Sequence, residues 1–304
     1  MTMTASNRLP IAELDAIGLA DLDSVAALQT RKDRKYLVLL PHLAQIIERA
    51  NLEVLVIDGR RTFRYESVYF DTPDHISYLA AAHRRRRRFK VRTRSYLDSN
   101  TCLLEVKTRE HRGLTVKHRF PHEFENRHSL SEEALDFIDQ FDVIAPVGRA
   151  LQPSLTTRYQ RTTLLETNST SRITVDTDLE CVATDGSSVT LPRVAVVETK
   201  TGGRPCLVDH LLWEIHRRPA KISKYGTGLA ALTPALPANK WNRVLREYFG
   251  WSPRPGSAEI RRHSRPLPVG PVAPIIAKSA ARLSHSPQGR SPGKARPLVE
   301  GVRP

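Results

Sequence analysis

The stretch Arg88-Phe89-Lys90-Val91-Arg92-Thr93-Arg94-Ser95-Tyr96 decides how the chain is read. Side chains on a β-strand alternate between two faces. One face then carries Arg88, Lys90, Arg92, Arg94 and Tyr96, and the other Phe89, Val91, Thr93 and Ser95. A solvated strand face normally mixes both signs of charge. This one is cationic at every second position, about 7 Å apart. That spacing suits successive phosphate groups, and Arg grips phosphate oxygens through two parallel bonds.

The flanking sequence repeats the pattern. Glu105, Lys107 and Arg109 share a face with Leu103, and Lys117 and Arg119 share one with Thr115. Arg172, Thr174, Asp176 and Asp178 oppose Ile173, Val175 and Thr177; Glu198 and Lys200 oppose Val197 and Thr199. Period-2 stretches are predicted over 32–40, 64–71, 87–97, 101–109, 114–124, 154–164, 172–178 and 193–201. Helical periodicity is predicted over 41–50, 131–141, 206–217 and 239–249. Turn signals such as Asp98-Ser99-Asn100 and Asp185-Gly186 separate the strands. The expected fold is α+β: an eight-stranded antiparallel β-barrel with helices packed outside. Its charged faces would line the interior, an arrangement that is costly when empty and suited to a polyanion.

Composition sets the limits of this reading. The chain has 304 residues, 40% of them hydrophobic, with 47 Lys+Arg against 32 Asp+Glu for a net charge of +15. A surplus of that size calls for an anionic partner. No apolar run is long enough to span a membrane as a helix. The first ten residues lack the apolar stretch of a secretory signal. Cys102, Cys181 and Cys206 fit neither a disulfide framework nor a zinc site, so a reducing cytosol is expected. P-loop, Rossmann, zincin and serine-hydrolase signatures are missing. Residues 1–27 read as a partly ordered leader and 28–250 as the folded domain. Residues 251–304, rich in Pro and Arg, read as a disordered basic tail; residues 252–304 hold 10 of the 21 prolines, no aromatic residue and a net charge of +8. The five arginines Arg84–Arg88 read as an entrance to the interior, able to funnel anions inward, rather than as a specific nucleic-acid site.

These motifs, taken in order, resemble those of the VTC (vacuolar transporter chaperone) domain, the polyphosphate polymerase branch of the CYTH-like triphosphate tunnel metalloenzymes. The resemblance rests on Arg31-Lys32-Asp33-Arg34-Lys35-Tyr36, Glu66-Ser67-Val68-Tyr69-Phe70-Asp71-Thr72 and the Arg88–Tyr96 strand. It continues through Leu104-Glu105-Val106-Lys107, Lys117-His118-Arg119, Tyr159-Gln160-Arg161 and Arg172-Ile173-Thr174-Val175-Asp176. Val197-Glu198-Thr199-Lys200 and Ser223-Lys224-Tyr225-Gly226 close the set. It implies transfer of the γ-phosphate of ATP onto a growing inorganic polyphosphate chain inside a basic tunnel, assisted by Mn²⁺ or Mg²⁺. Catalytic roles then fall to Lys90, Arg92, Arg94, Lys200 and Lys224. Phosphate contacts fall to Lys35, Arg88, Lys107, Lys117, Arg119, Arg161, Arg172, Ser223 and Tyr225. Glu198 is the leading metal ligand. Glu105 either joins it or pairs with Lys107, and Asp33 stands where the family usually has Glu, one methylene longer. Asp176 is expected to orient Arg92 or Arg172. Two alternatives stay open: a triphosphate hydrolase on the same tunnel, and a non-catalytic polyanion binder. The expected setting is cytoplasmic; any peripheral placement at the inner face of a membrane needs a membrane-protein partner.

Overall fold

The structure, a computed structural model, describes residues 9–25, 32–109, 115–167, 169–252 and the backbone of 300–302. In chain order the elements begin with β1 (Asp15–Ile17), α1 (Leu19–Val25), β2 (Lys32–Leu39), α2 (Leu40–Arg49) and β3 (Leu52–Leu55). Next come β4 (Phe63–Asp71), α3 (Ile76–Ala82), β5 (Arg88–Tyr96), β6 (Thr101–Arg109) and β7 (Thr115–His122). The middle holds α4 (Glu132–Asp139), β8 (Gln152–Glu166), β9 (Arg172–Ala183), β10 (Ser188–Leu191) and β11 (Val194–Thr201). The last are α5 (Leu207–Glu214), α6 (Lys224–Leu232), α7 (Asn242–Tyr248) and β12 (Glu300–Val302).

The main sheet runs β7-β6-β5-β4-β8-β9-β11-β2, antiparallel at every step. These are the eight strands expected from the period-2 pattern. The β5–β6 hairpin turns where Asn100 adopts a left-handed φ of 49°, a conformation Asn tolerates better than most residues. Closure of this sheet into a barrel is not seen: among the described residues no backbone ladder joins β2 to β7. The outward carbonyls of β2 are taken instead by the Ala220 N–H, 2.7 Å from the Lys35 oxygen, and by the Tyr248 hydroxyl, 3.4 Å from that of Leu37. The free side of β7 is taken by β12, with Glu300 opposite Lys117. The rest of the tail expected to be disordered, 253–299 and 303–304, lies outside the described residues. Within the leader, the described residues 9–25 carry β1 and α1. β1 adds to β3 in parallel, and Ile17 and Leu22 pack on Leu55 and Leu165.

Two outer cores cover the convex face. Tyr36, Val38, Ile173, Val175, Ala195 and Val197 pack under α2 and α5. Val68, Phe70, Phe89, Val91, Leu104 and Val106 pack under α4, whose Ser131 N-cap accepts from Ala134 N. These apolar residues alternate with the charged ones, as the pattern required. A third core departs from the expectation that all helices lie outside. Leu37, Tyr69, Leu155, Tyr159, Cys181 and Val196 share the concave face with the charges, and α6 and α7 pack on them through Tyr225, Leu229, Trp241 and Leu245. These two helices plug one end of the concavity.

The plug is tight at glycines. A Cβ on Gly226 would lie 2.3 Å from a Trp241 ring carbon, and one on Gly228 would lie 2.7 Å from Cys181 Sγ. Replacing a helical Gly by Ala gains about 1 kcal/mol of propensity. Overpacking a core costs about 1–3 kcal/mol. Trp241 is fully enclosed and cannot give way, so the cost wins. Gly226→Ala is expected to destabilise the fold by about 1–2 kcal/mol, read as a lowered urea midpoint at unchanged slope.

Candidate phosphate-binding site

The concave face gathers most of the expected residues into three knots, each built around a carboxylate. In the first, Glu105 on β6 is 2% exposed and receives Arg92 at 2.5 and 2.8 Å and Lys117 at 2.5 Å. Arg119 lies 3.5 Å and Arg94 3.7 Å from the same carboxylate. Arg92 also donates to the Tyr69 hydroxyl at 2.9 Å. In the second, Asp176 on β9 takes a two-bond grip from Arg161, at 2.6 and 2.8 Å, and an ion pair from Lys224. In the third, Glu198 on β11 pairs with Lys35 on β2 and shares its face with Lys200. Lys90 stands where the charged row meets the plug and donates to Ser223 Oγ at 2.8 Å. The same oxygen caps α6 by accepting from Gly226 N.

Cations outnumber carboxylates in this space, and like charges face one another directly. Lys90, Lys107 and Lys117 are cross-strand partners on β5, β6 and β7, as are Arg88 and Arg109. Such juxtaposition destabilises a sheet on its own account. The proton affinities record the crowding. Burial pushes Lys90 well below the usual lysine range, and Lys107, Arg92, Lys240 and Lys35 push it further. Burial lowers Lys107 and Lys35 adds to that, while Asp33 and Glu198 oppose it. Lys117 is pushed down to about 7 by burial; Glu105 opposes this, and Arg94, Arg92 and Arg119 add to it. Burial would raise the carboxyls of Glu105, Asp176 and Glu198, but their cationic neighbours hold all three below the usual range.

The structure separates the expected residues. Lys35, Lys90, Arg92, Arg94, Lys107, Lys117, Arg161, Glu198, Lys200, Ser223 and Lys224 come together as described. Arg119 is at the half-exposed margin and Arg88 at the outer end of its row. Arg172 turns to the rim, where it pairs with Asp23 of α1. Tyr225 does not reach the site at all. It is 1% exposed, stacks on Tyr69 at 5.0 Å and gives its hydroxyl to Asp71, because its side of α6 packs into the third core. Asp176 orients Arg161 and Lys224, rather than Arg92 or Arg172. Glu105 pairs with cations other than Lys107: Arg92, Arg94, Lys117 and Arg119 surround its carboxylate.

Sequence reasoning missed three tyrosines. Tyr65 lies under Arg94 and Arg161, with guanidinium carbons 5.8 and 5.2 Å from its ring centre. Tyr159 stacks on Tyr65 at 5.4 Å and meets Lys224, 4.3 Å from its centre. The Tyr159 hydroxyl has no hydrogen-bond partner among the described residues, and Arg94, Arg161 and Lys224 lower its pKa against burial. Tyr65 and Tyr69 alternate on β4, and that alternation was the available signal. Among the described residues the buried hydroxyls of Ser67, Thr157 and Thr174 also lack partners, and by register all three face the concavity. Unpaired buried donors mark a space shaped for a polar occupant.

The metal question turns on carboxylates. Among the described residues no group of three His, Cys, Asp or Glu could hold an ion. Glu198 and Asp33 lie on one face of adjacent strands, and both act electrostatically on Lys107. Two carboxylates completed by substrate phosphates suit Mg²⁺ or Mn²⁺, so these residues fit such an ion.

A family model described as the VTC domain matches residues 30–233 of this chain. The protein therefore belongs to the VTC domain family. No curated protein matches it. Solved structures with a similar fold include a putative adenylate cyclase from Vibrio parahaemolyticus, 12% identical, with a TM-score of 0.38 over 64% of this chain and 95% of its own. A putative adenylyl cyclase from Hippeastrum, described as having a dominant triphosphatase activity, is 15% identical, with a TM-score of 0.41 over 68% and 98%. A putative adenylate cyclase from Bacillus halodurans is 15% identical, with a TM-score of 0.36 over 76% and 97%. Likeness at this level carries no argument about activity.

Two predictions follow from the charge balance. Glu105→Gln leaves its cations facing one another and should cost about 3 kcal/mol in thermal unfolding. Added tripolyphosphate should recover more stability in this variant than in the wild type, because the ligand replaces the missing charge. With its pKa pushed down to about 7, Lys117 should lose its proton as pH rises above 7 and regain it when an anion binds. Tripolyphosphate affinity should therefore fall as pH rises from 7 to 9. Titration calorimetry in buffers of differing ionisation enthalpy should show proton uptake at pH 8 that shrinks in Lys117→Gln.

Proposed function

We propose that this protein is a polyphosphate polymerase that transfers the γ-phosphate of ATP onto the end of an inorganic polyphosphate chain lying along the concave face. The observation that carries the reading is the unbroken cross-strand row Lys90–Lys107–Lys117 beside Arg92 and Arg94. A row of opposed cations suits a linear ligand with one negative charge after another, and a single compact anion would leave part of it uncompensated. The eight-stranded sheet would act as a tunnel, with the plug forming one end.

The protein's part is positioning and charge neutralisation. Lys90, Arg92 and Arg94 would hold successive phosphates in line. Ser223 and Lys224, fixed at the start of α6, would hold the phosphates next to the plug. Arg161 and Lys200 would face them from the other wall. A terminal phosphate oxygen of the chain attacks the γ-phosphorus, the bond to the ADP oxygen breaks and a new P–O–P link forms. The attacking oxygen is already anionic, so no protein base is needed. Glu198 and Asp33 would hold a divalent ion, Mn²⁺ or Mg²⁺, which when bound neutralises charge on phosphate oxygens.

The test is incubation with ATP and Mn²⁺ followed by gel staining of the products. A ladder of long chains is expected, reduced at least ~100-fold in Arg92→Ala and Lys224→Ala. Orthophosphate alone would assign a hydrolase, and no ATP consumption would leave a binding protein. Full activity in both variants would refute the placement of the site.

A further inference from the structure

A second group of cations continues the row outside the concavity, and the mechanism does not use it. Beyond Lys90 on β5 lies Arg88, and opposite Arg88 on β6 lies Arg109. Lys221 is two residues before Ser223, and Lys240 links the two helices of the plug. Lys240 donates to the Ala81 carbonyl at 2.8 Å, at the end of α3, where the arginine run begins. Arg84 there takes a left-handed φ of 56°, uncommon for a residue with a side chain. That turn leads the chain out of α3, and Arg84, Arg85, Arg86 and Arg87 are all exposed. Four segments distant in sequence thus set cations at the outer end of the row beside the plug, where Arg88, Arg84, Lys221 and Arg109 all act electrostatically on Lys240. None of Arg84 to Arg87, Arg109 or Lys221 has an ion pair among the described residues.

An exposed cluster of one sign without counter-charges destabilises the fold by self-repulsion. Ordinary surfaces intersperse acids, as this protein does elsewhere: Arg149 sits within 3.0 Å of Glu132, Asp136 and Asp139. The collar has the same sign as the inner row and joins it through Arg88 and Lys90. Its ligand therefore has the same chemistry as the occupant of the concavity and is longer than it. Among the described residues the exposed large apolar side chains are Leu19, Val25, Ile76 and Leu207, none of them aromatic, and Trp241 beside Lys240 is buried. Single-stranded nucleic acid is held by stacking of bases on exposed aromatic rings as well as by charge. The collar offers charge without that platform.

We propose that this collar is a second binding site, for the stretch of linear inorganic polyphosphate outside the concavity, and that it makes chain elongation processive. The proposal rests on the polymerase reading for its product. Its physical basis is two-point attachment. A chain held inside by Lys90, Arg92 and Arg94 and outside by the arginine run leaves only when both grips open. The outer grip acts at high effective concentration while the inner one is closed.

The test uses the full chain and Arg85→Ser/Arg86→Ser/Arg87→Ser, which alters exposed side chains only. Binding of end-labelled polyphosphate of about 100 units is followed by anisotropy across a salt series. Tripolyphosphate serves as the short probe and an unstructured oligonucleotide of equal charge as the competitor. Long-chain affinity should fall about tenfold with a shallower salt dependence. Tripolyphosphate affinity and the initial rate of ATP consumption should stay within twofold, which also reports an intact fold. The product ladder at scarce enzyme should shift to short chains. Unchanged long-chain affinity would overturn the proposal, and so would an oligonucleotide that competes as strongly as polyphosphate. If the wild type makes no polymer but the triple variant still loses only long-chain binding, the polymerase reading fails and the collar stands.

Discussion

Crowding of positive charge on one face of a curled sheet is the constraint that shapes this protein. Lys90, Lys107 and Lys117 oppose one another across three strands, and no backbone rearrangement relieves them. Three carboxylates, Glu105, Asp176 and Glu198, hold the arrangement together, each paired with cations from other elements of the fold. They reduce the repulsion without cancelling it. The site is thereby kept both folded and electrostatically unsatisfied, and that residual imbalance is what an anionic chain would meet.

The packing serves the same end. Apolar residues alternating with the charges lie under α2 and α5 on one side and α4 on the other, so the sheet is rigid from behind. The third core lies on the working face. Helix α6 anchors itself there through Tyr225 and Leu229, while its capping residue Ser223 and first residue Lys224 reach back towards Lys90 and Asp176. One helix therefore both plugs an end and supplies part of the site. The bare glycines against Trp241 and Cys181 make that close approach possible.

Much of the site was legible because strand periodicity is a local property. A residue's place in Arg88–Tyr96 sets its face without reference to the rest of the chain. The residues read well on that basis, Arg92, Arg94, Lys117 and Glu198 among them, are interior members of long alternating runs. Those read poorly sit where alternation ends. Tyr225 belongs to a helix whose buried side is decided by the plug. Arg172 is the first residue of β9 and finds Asp23 on a helix in the leader. Glu105 looked like a neighbour of Lys107 along its own strand, but its partners come from the strands on either side.

The sequence by itself determined which strands form, which residues share a face, and that one face is cationic. These follow from a period of two and from side-chain chemistry. Only the tertiary structure decided which cation meets which carboxylate, that Tyr65, Tyr69 and Tyr159 join the charged face as ring contacts, and that the edge of β2 is taken by Ala220 and Tyr248 rather than by β7. Those outcomes depend on sheet curvature and on where α6 and α7 lodge. Curvature and docking arise from contacts between segments far apart in the chain, and no local pattern encodes them.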